Sequence, residues 1–84
     1  MRIHYFAAAR AAAGVSEEEV GEFATLGEVL DDATRRHPGA TDAGLTFADV
    51  LERCTFLVDG RRAQRGDPTA GAERLDVLPP FAGG

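Results

Sequence analysis

One long amphipathic helix can be read from this sequence, and it constrains the fold more than any other feature. Thr25-Leu26-Gly27-Glu28 has the form of a capping box. The threonine hydroxyl accepts an orphan amide of the first turn, and the glutamate reaches back to the cap amide. From there to about Arg36, Leu26, Val29, Leu30 and Ala33 recur at helical spacing and make one apolar stripe. Asp31–Arg35 and Asp32–Arg36 are spaced as i,i+4 pairs on the wet face. Arg35, Arg36 and His37 stand where the helix dipole favours cations, and Pro38-Gly39 stops the helix. A lone stripe of this kind must be covered, and a chain of 84 residues has material for one sheet to cover it.

The strands of that sheet are marked by alternation. Residues 2–7 place Ile3, Tyr5 and Ala7 on one face and Arg2, His4 and Phe6 on the other. Ala8 to Ala13 reads as a short helix with Gly14 at its C′ position. Residues 17–23 read as extended, with a bend near Gly21. After a loop over 39–44, Thr46-Phe47-Ala48-Asp49 begins a short helical turn whose inner side is Phe47, Val50 and Leu51. Thr55 to Asp59 is a compact apolar strand, Asp59-Gly60 is a hairpin signal, and Arg61 to Gln64 returns. Residues 66–71 carry loop chemistry. In the strand Arg74 to Leu78, Leu75 and Val77 face the core while Arg74, Asp76 and Leu78 face away. Pro79-Pro80 ends it, because neither residue can donate to a ladder. This order predicts an α+β roll with a mixed sheet of four to five strands packed on one long helix. The first and last strands are expected as neighbours at the centre of the sheet. Residues 1–78 form one domain, and residues 79–84 an extended tail.

Several functions are excluded by size and charge. A chain this short buries about 60–65% of its unfolded surface, which leaves little spare volume for a deep catalytic pocket. Fourteen acidic residues face nine cations, all arginine, for a net charge of −5. No basic run meets the clustered cations that nucleic-acid backbones require. No apolar run approaches the roughly 18–20 residues of a spanning helix, and the first residues lack a signal-peptide layout. The single cysteine forms no internal disulfide. A cytoplasmic protein without membrane contact is expected.

Individual residues offer little internal chemistry. Cys54, before an apolar strand, reads as a buried structural thiol. His4 and His37 have no acid at ligand spacing, so no metal site is expected. Glu17-Glu18-Glu19 reads as a solvated edge, or as a surface that meets a basic partner. Arg10 reads as one half of a structural salt bridge. Arg61, Arg62 and Arg65 either pair with Asp59 and Asp67 or form the rim of an interface.

The feature that carries chemistry is the pair Gly83-Gly84. Two residues without Cβ atoms can thread a narrow channel in extended form. Their carboxylate is inert until activated, and adenylation by ATP makes its carbonyl reactive toward sulfur or an amine. Pro79 and Pro80 hold Phe81, Ala82 and the glycine pair away from the fold as a stiff spacer.

Residues 71–84, Gly-Ala-Glu-Arg-Leu-Asp-Val-Leu-Pro-Pro-Phe-Ala-Gly-Gly, resemble the C-terminal signature of the MoaD/ThiS sulfur carriers, small ubiquitin-like β-grasp proteins. Tyr5-Phe6-Ala7-Ala8-Ala9-Arg10, with Gly14 following, is similar to the opening of the MoaD branch. The resemblance covers essentially the whole chain. It implies that Gly84 is adenylated by a MoeB/ThiF-like enzyme with Mg-ATP, with no cofactor bound to the carrier itself. Sulfur from a cysteine desulfurase or rhodanese then gives a thiocarboxylate. A MoaE-like large subunit of molybdopterin synthase would receive the tail and pass the sulfur into the dithiolene of molybdopterin. The carrier would not be catalytic alone. Other sulfur pathways (thiamine, cysteine or tRNA thiolation) and protein modification through Gly84 are the alternatives. Alternation adds a docking surface: Phe6, Leu57 and Leu78 would form one exposed apolar patch beside the tail. A comparable patch docks both partners in the MoaD branch, where a further patch position falls at about Arg62, charged here. Partial shielding by neighbouring arginine stems is the competing reading of the patch.

Overall fold

The computed structural model describes residues 1–80. The elements run β1 (Arg2–Tyr5), α1 (Ala7–Ala13), β2 (Glu17–Glu19), α2 (Leu26–Arg36), α3 (Phe47–Leu51), β3 (Thr55–Val58), β4 (Arg61–Ala63) and β5 (Arg74–Leu78). They build one five-stranded sheet in the order β2-β1-β5-β3-β4. β1 and β5 pair in parallel at its centre, and the other three pairings are antiparallel. This is the β-grasp arrangement: a mixed sheet curled against α2, with the first and last strands side by side.

The apolar stripe of α2 is the centre of the core. Leu26, Val29, Leu30 and Ala33 are buried together with Ile3 and Tyr5 of β1 and Leu75 and Val77 of β5. Phe47, Val50 and Leu51 of α3 close one end, and Ala9 and Ala12 of α1 pack against the same cluster. The Asp59-Gly60 hairpin has positive φ at both loop residues, 49° and 82°, as a type I′ turn demands. Gly14, at φ 81°, caps α1, and its amide donates to the Arg10 carbonyl.

Several local expectations are corrected. Glu28 does not complete a capping box: Thr25 Oγ1 accepts from the Glu28 amide at 3.3 Å, without the reciprocal bond. The loop at Arg65–Thr69 lies over this helix end instead. The Leu26 amide donates to the Asp67 carbonyl and the Gly27 amide to that of Arg65, which satisfies the orphan donors from outside the helix. The reciprocal box occurs at α3, between Thr46 and Asp49. On α2, Arg36 pairs with Asp32 at 2.8 Å as expected. Arg35 also turns to Asp32, at 3.7 Å, because Asp31 is taken by Arg65 at 3.1 Å. The second strand stops at Glu19 rather than running to Phe23, since the Val20 amide already meets the Met1 carbonyl and β1 offers no further partner. Phe6 lies outside β1, at the N-cap of α1.

The glutamate run is not uniformly solvated. Glu17 and Glu19 are exposed, while Glu18 turns toward the helix layer. Its carboxylate accepts from the Tyr5 hydroxyl at 2.5 Å, lies 2.7 Å from His37 Nε2, and is bonded by the Arg36 guanidinium. This ties edge strand β2 to the C-terminal end of α2. Burial pushes the Glu18 pKa up, but hydrogen bonds from Tyr5, Arg36 and His37 outweigh it and hold the carboxyl below its ordinary value. A carboxyl depressed in the folded state stabilises the fold fully above its unfolded pKa, roughly 4.3, and loses that contribution as pH falls through the folded value. Glu18→Gln is therefore expected to cost about 1–2 kcal/mol at neutral pH. The gap between variant and parent should close as the pH drops below about 4, as read by urea titrations across a pH series. A gap that persists unchanged into acid would show that Glu18 contributes by packing alone.

Candidate functional site

The sheet face turned away from α2 is open, and its rungs follow from the strand registers. Arg2 stands beside Glu19 on β2 and Arg74 on β5. The next rung is Glu17, His4, Asp76, Leu57 and Arg62, running across all five strands. Beyond it Leu78 stands opposite Thr55 of β3. On the other side of β5, the Phe6 backbone remains extended at φ −118°, ψ 150°, and its amide donates to the Val77 carbonyl at 3.2 Å. That carries the β1–β5 register one step further and sets Phe6 beside Leu78.

Phe6 is 39% exposed, a large value for a phenylalanine, and Leu57 and Leu78 are half-buried. The three residues expected to share a patch therefore lie on adjacent strands of one face. The turn at Ala7, which has φ 48°, helps to present Phe6. A left-handed alanine costs about 1 kcal/mol, and it swings the chain out of β1 directly into α1. Leu78 ends β5, Pro79 is half-buried and Pro80 exposed, so the chain leaves the fold next to the patch. Phe81, Ala82, Gly83 and Gly84 lie outside the described residues.

The charges on this face are largely neutralised within it. Arg74 Nε meets Asp76 Oδ1 at 2.7 Å. Arg2 reaches Glu17 at 3.2 Å and Glu19 at 3.4 Å, and His4 Nδ1 lies 3.5 Å from Glu17. Exposed pairs of this kind add little to stability, but they leave little net field on that side of the patch.

The remaining candidates have structural duties. Cys54 Sγ donates to the Val50 carbonyl at 3.2 Å, and burial pushes its thiol up to about 11, the wrong direction for a nucleophile. Among the described residues, neither Asp59 nor Asp67 pairs with an arginine. Asp59 Oδ1 accepts from the Glu73 and Arg74 amides, and Asp67 Oδ2 from the Gln64 amide, so both carboxylates are spent on turns. The expected salt bridge of Arg10 is not formed among the described residues. Arg10 lines an open groove of about 510 Å³ along α1 with Ala11, Val15 and Ser16. Among the described residues, no three His, Cys, Asp or Glu side chains gather to hold a metal ion, and no helix is long and apolar enough to cross a membrane. Sequence reading missed the inward role of Glu18, although alternation places it opposite Ile3 on the helix-facing side.

The comparisons with known proteins agree with this architecture. Among curated proteins none matches the chain significantly. The crystal structure of SAMP1 from Haloferax volcanii superposes with a TM-score of 0.71 at 28% identity, covering 100% of this chain and 98% of that one. A second crystal structure, of the H. volcanii small archaeal modifier protein 1, gives 0.69 at 27% identity over 96% and 97% of the two chains. The ThiS family model matches residues 3–84. The chain belongs to the ThiS family, and its β-grasp is the ubiquitin-like fold of sulfur carriers and modifiers.

Proposed function

We propose that this protein is a cytoplasmic sulfur carrier of molybdenum cofactor biosynthesis, the small subunit of a molybdopterin synthase, whose working group is the carboxylate of Gly84. The observation that carries the reading is the family match, which runs through Gly84 and so includes the glycine pair. A MoeB/ThiF-like enzyme transfers AMP from Mg-ATP to the carboxylate and releases pyrophosphate. The terminal sulfur of a protein persulfide, delivered by a cysteine desulfurase or rhodanese, then displaces AMP to give an acyl disulfide, and attack of a cysteine thiol on its S–S bond releases the thiocarboxylate and leaves a protein disulfide. A MoaE-like subunit admits Phe81 to Gly84 into its active site and takes the sulfur for the dithiolene. The carrier supplies the sulfur and the tail, and the partner supplies acid and base groups. The Pro-Pro-Phe-Ala-Gly-Gly ending, similar to the MoaD branch, favours the molybdopterin pathway over thiamine.

A second reading is favoured by the likeness to proteins named as archaeal modifiers. There the activated Gly84 would be captured by a lysine of another protein. Intact mass after incubation with the adenylating enzyme, Mg-ATP and a sulfur source separates the two. Exchange of one oxygen for sulfur supports the carrier, and attachment to lysines of added proteins supports the modifier. An unchanged mass with competent enzymes would sink both.

In either role Phe6, Leu57 and Leu78, with Pro79 and Pro80, form the docking surface. Placing a carboxylate in a contact that excludes water leaves it unpaired. Phe6→Glu or Leu78→Glu is expected to weaken binding of the adenylating enzyme by about two orders of magnitude, as read by calorimetry. Unchanged affinity would remove this face from the interface.

A further inference from the structure

We infer that the partner seated on the outer sheet face presents a carboxylate to Arg62, and that this one contact sets its register on the apolar patch. The inference rests on the docking role proposed above and adds the chemistry of the surface that fits there.

Arg62 stands directly opposite Leu57 across the β3–β4 pairing, so its side chain shares the face with the patch. Its neighbour Arg61 is opposite Val58, which packs against the core, and therefore belongs to the other side of the sheet. Every other arginine on the outer face has a carboxylate at hand: Arg2 has Glu17 and Glu19, and Arg74 has Asp76. Arg65, further along the same segment, is tied to Asp31. Arg62 is exposed and forms none of the ion pairs among the described residues.

A partner that covers Leu57 also strips water from the guanidinium beside it. An arginine desolvated without an acceptor opposes binding, whereas a carboxylate at that point offers a bidentate, charge-assisted contact. The chain as a whole carries −5, so its overall field favours a basic partner. The fitting surface is thus an apolar pocket in a neutral-to-basic setting with one acidic side chain at its β4 edge. Such a pattern discriminates by position more than by area, since a partner shifted along the sheet brings its acid against Asp76.

The test measures the dissociation constant of a MoeB/ThiF-type adenylating enzyme from the same organism for the parent protein and for Arg62→Gln, Arg62→Glu, Arg61→Glu and Leu78→Glu. Arg62 is exposed, so the fold should survive, and far-UV circular dichroism verifies it. Arg62→Glu is expected to weaken binding by about thirtyfold at low salt and Arg62→Gln by about fivefold, with Arg61→Glu within about threefold. The penalty of Arg62→Glu should shrink as salt is raised. Equal loss from Arg61→Glu and Arg62→Glu would reduce the effect to net charge and overturn the assignment. Tight binding by Arg62→Glu with loss in Leu78→Glu would also overturn it, while leaving the docking face in place. Unchanged binding by all four variants would bring down the docking face itself. A parent dimer that Leu78→Glu dissociates would make a second copy the occupant and refute an acidic partner.

Discussion

Adding a single alanine after Gly84 is expected to abolish thiocarboxylate formation without altering the fold. The proposed reaction uses a free carboxylate on a residue without Cβ, at a set distance from the docking face. One extra residue moves the carboxylate by about 3.5 Å and puts a methyl group beside it. Misplacement by even about 1 Å can cost a hundredfold in rate, so the loss should be at least that large. Intact mass after activation reads the loss of sulfur incorporation, and the urea midpoint reads the fold, which should not move because the core cluster from Ile3 to Val77 is built ahead of the added residue. Retained sulfur incorporation at the added residue would place the chemistry somewhere other than at Gly84.

The largest effect on stability is expected from Phe47→Ala. Phe47 is 1% exposed and sits edge-on to Tyr5 and His37, with centroids 5.6 and 5.4 Å away. It links α3, the end of α2 and β1, so no single neighbouring element can collapse into the space it leaves. Truncating a buried phenylalanine costs about 3–5 kcal/mol, and a domain of 84 residues has only about 4–13 in total. Phe47→Ala should lose about 3–5 kcal/mol in urea titrations followed by circular dichroism, and Phe47→Leu less than half as much. A midpoint shift equal to that of Phe47→Leu would mean that the α3 region adjusts freely.

The parts of this fold legible in the sequence are those whose signal is local. The stripe of α2, the Asp59-Gly60 turn, the cap at Gly14 and the alternation of β5 each depend on neighbours within about four positions, and each was found where expected. What escaped depended on distant chain. Glu28 looks like the second half of a capping box, but its side chain makes no bond to the Thr25 amide, and the Arg65–Thr69 loop, some forty positions on, meets the Leu26 and Gly27 amides. Asp31 looks like a partner for Arg35, but Arg65, thirty-four positions away, claims it. Three adjacent glutamates carry the same local signal, and only the presence of Tyr5, Arg36 and His37 on one side of the sheet distinguishes Glu18. For the site, the alternation of β1, β3 and β5 gave the outward side chains. The isolation of Arg62 became visible only once Arg2 and Arg74, the other arginines of the outer face, had found their carboxylates.

The position of β5 has a consequence for the order of events in the cell. It is the segment nearest the tail, and it hydrogen-bonds to both β1 and β3, filling the centre of the sheet. Until residues 74–78 are available, the earlier strands have no common partner and the stripe of α2 has no complete floor. Folding then waits on contacts between sequence-distant strands, the slow class of pairing. A truncated or stalled chain therefore has neither a sheet nor a patch to offer. Because the strand that completes the sheet also carries Leu78, the proposed docking face exists only once β5 is in place. In the proposed role, an activating enzyme that grips this face before the glycines would spend no ATP on chains that lack β5.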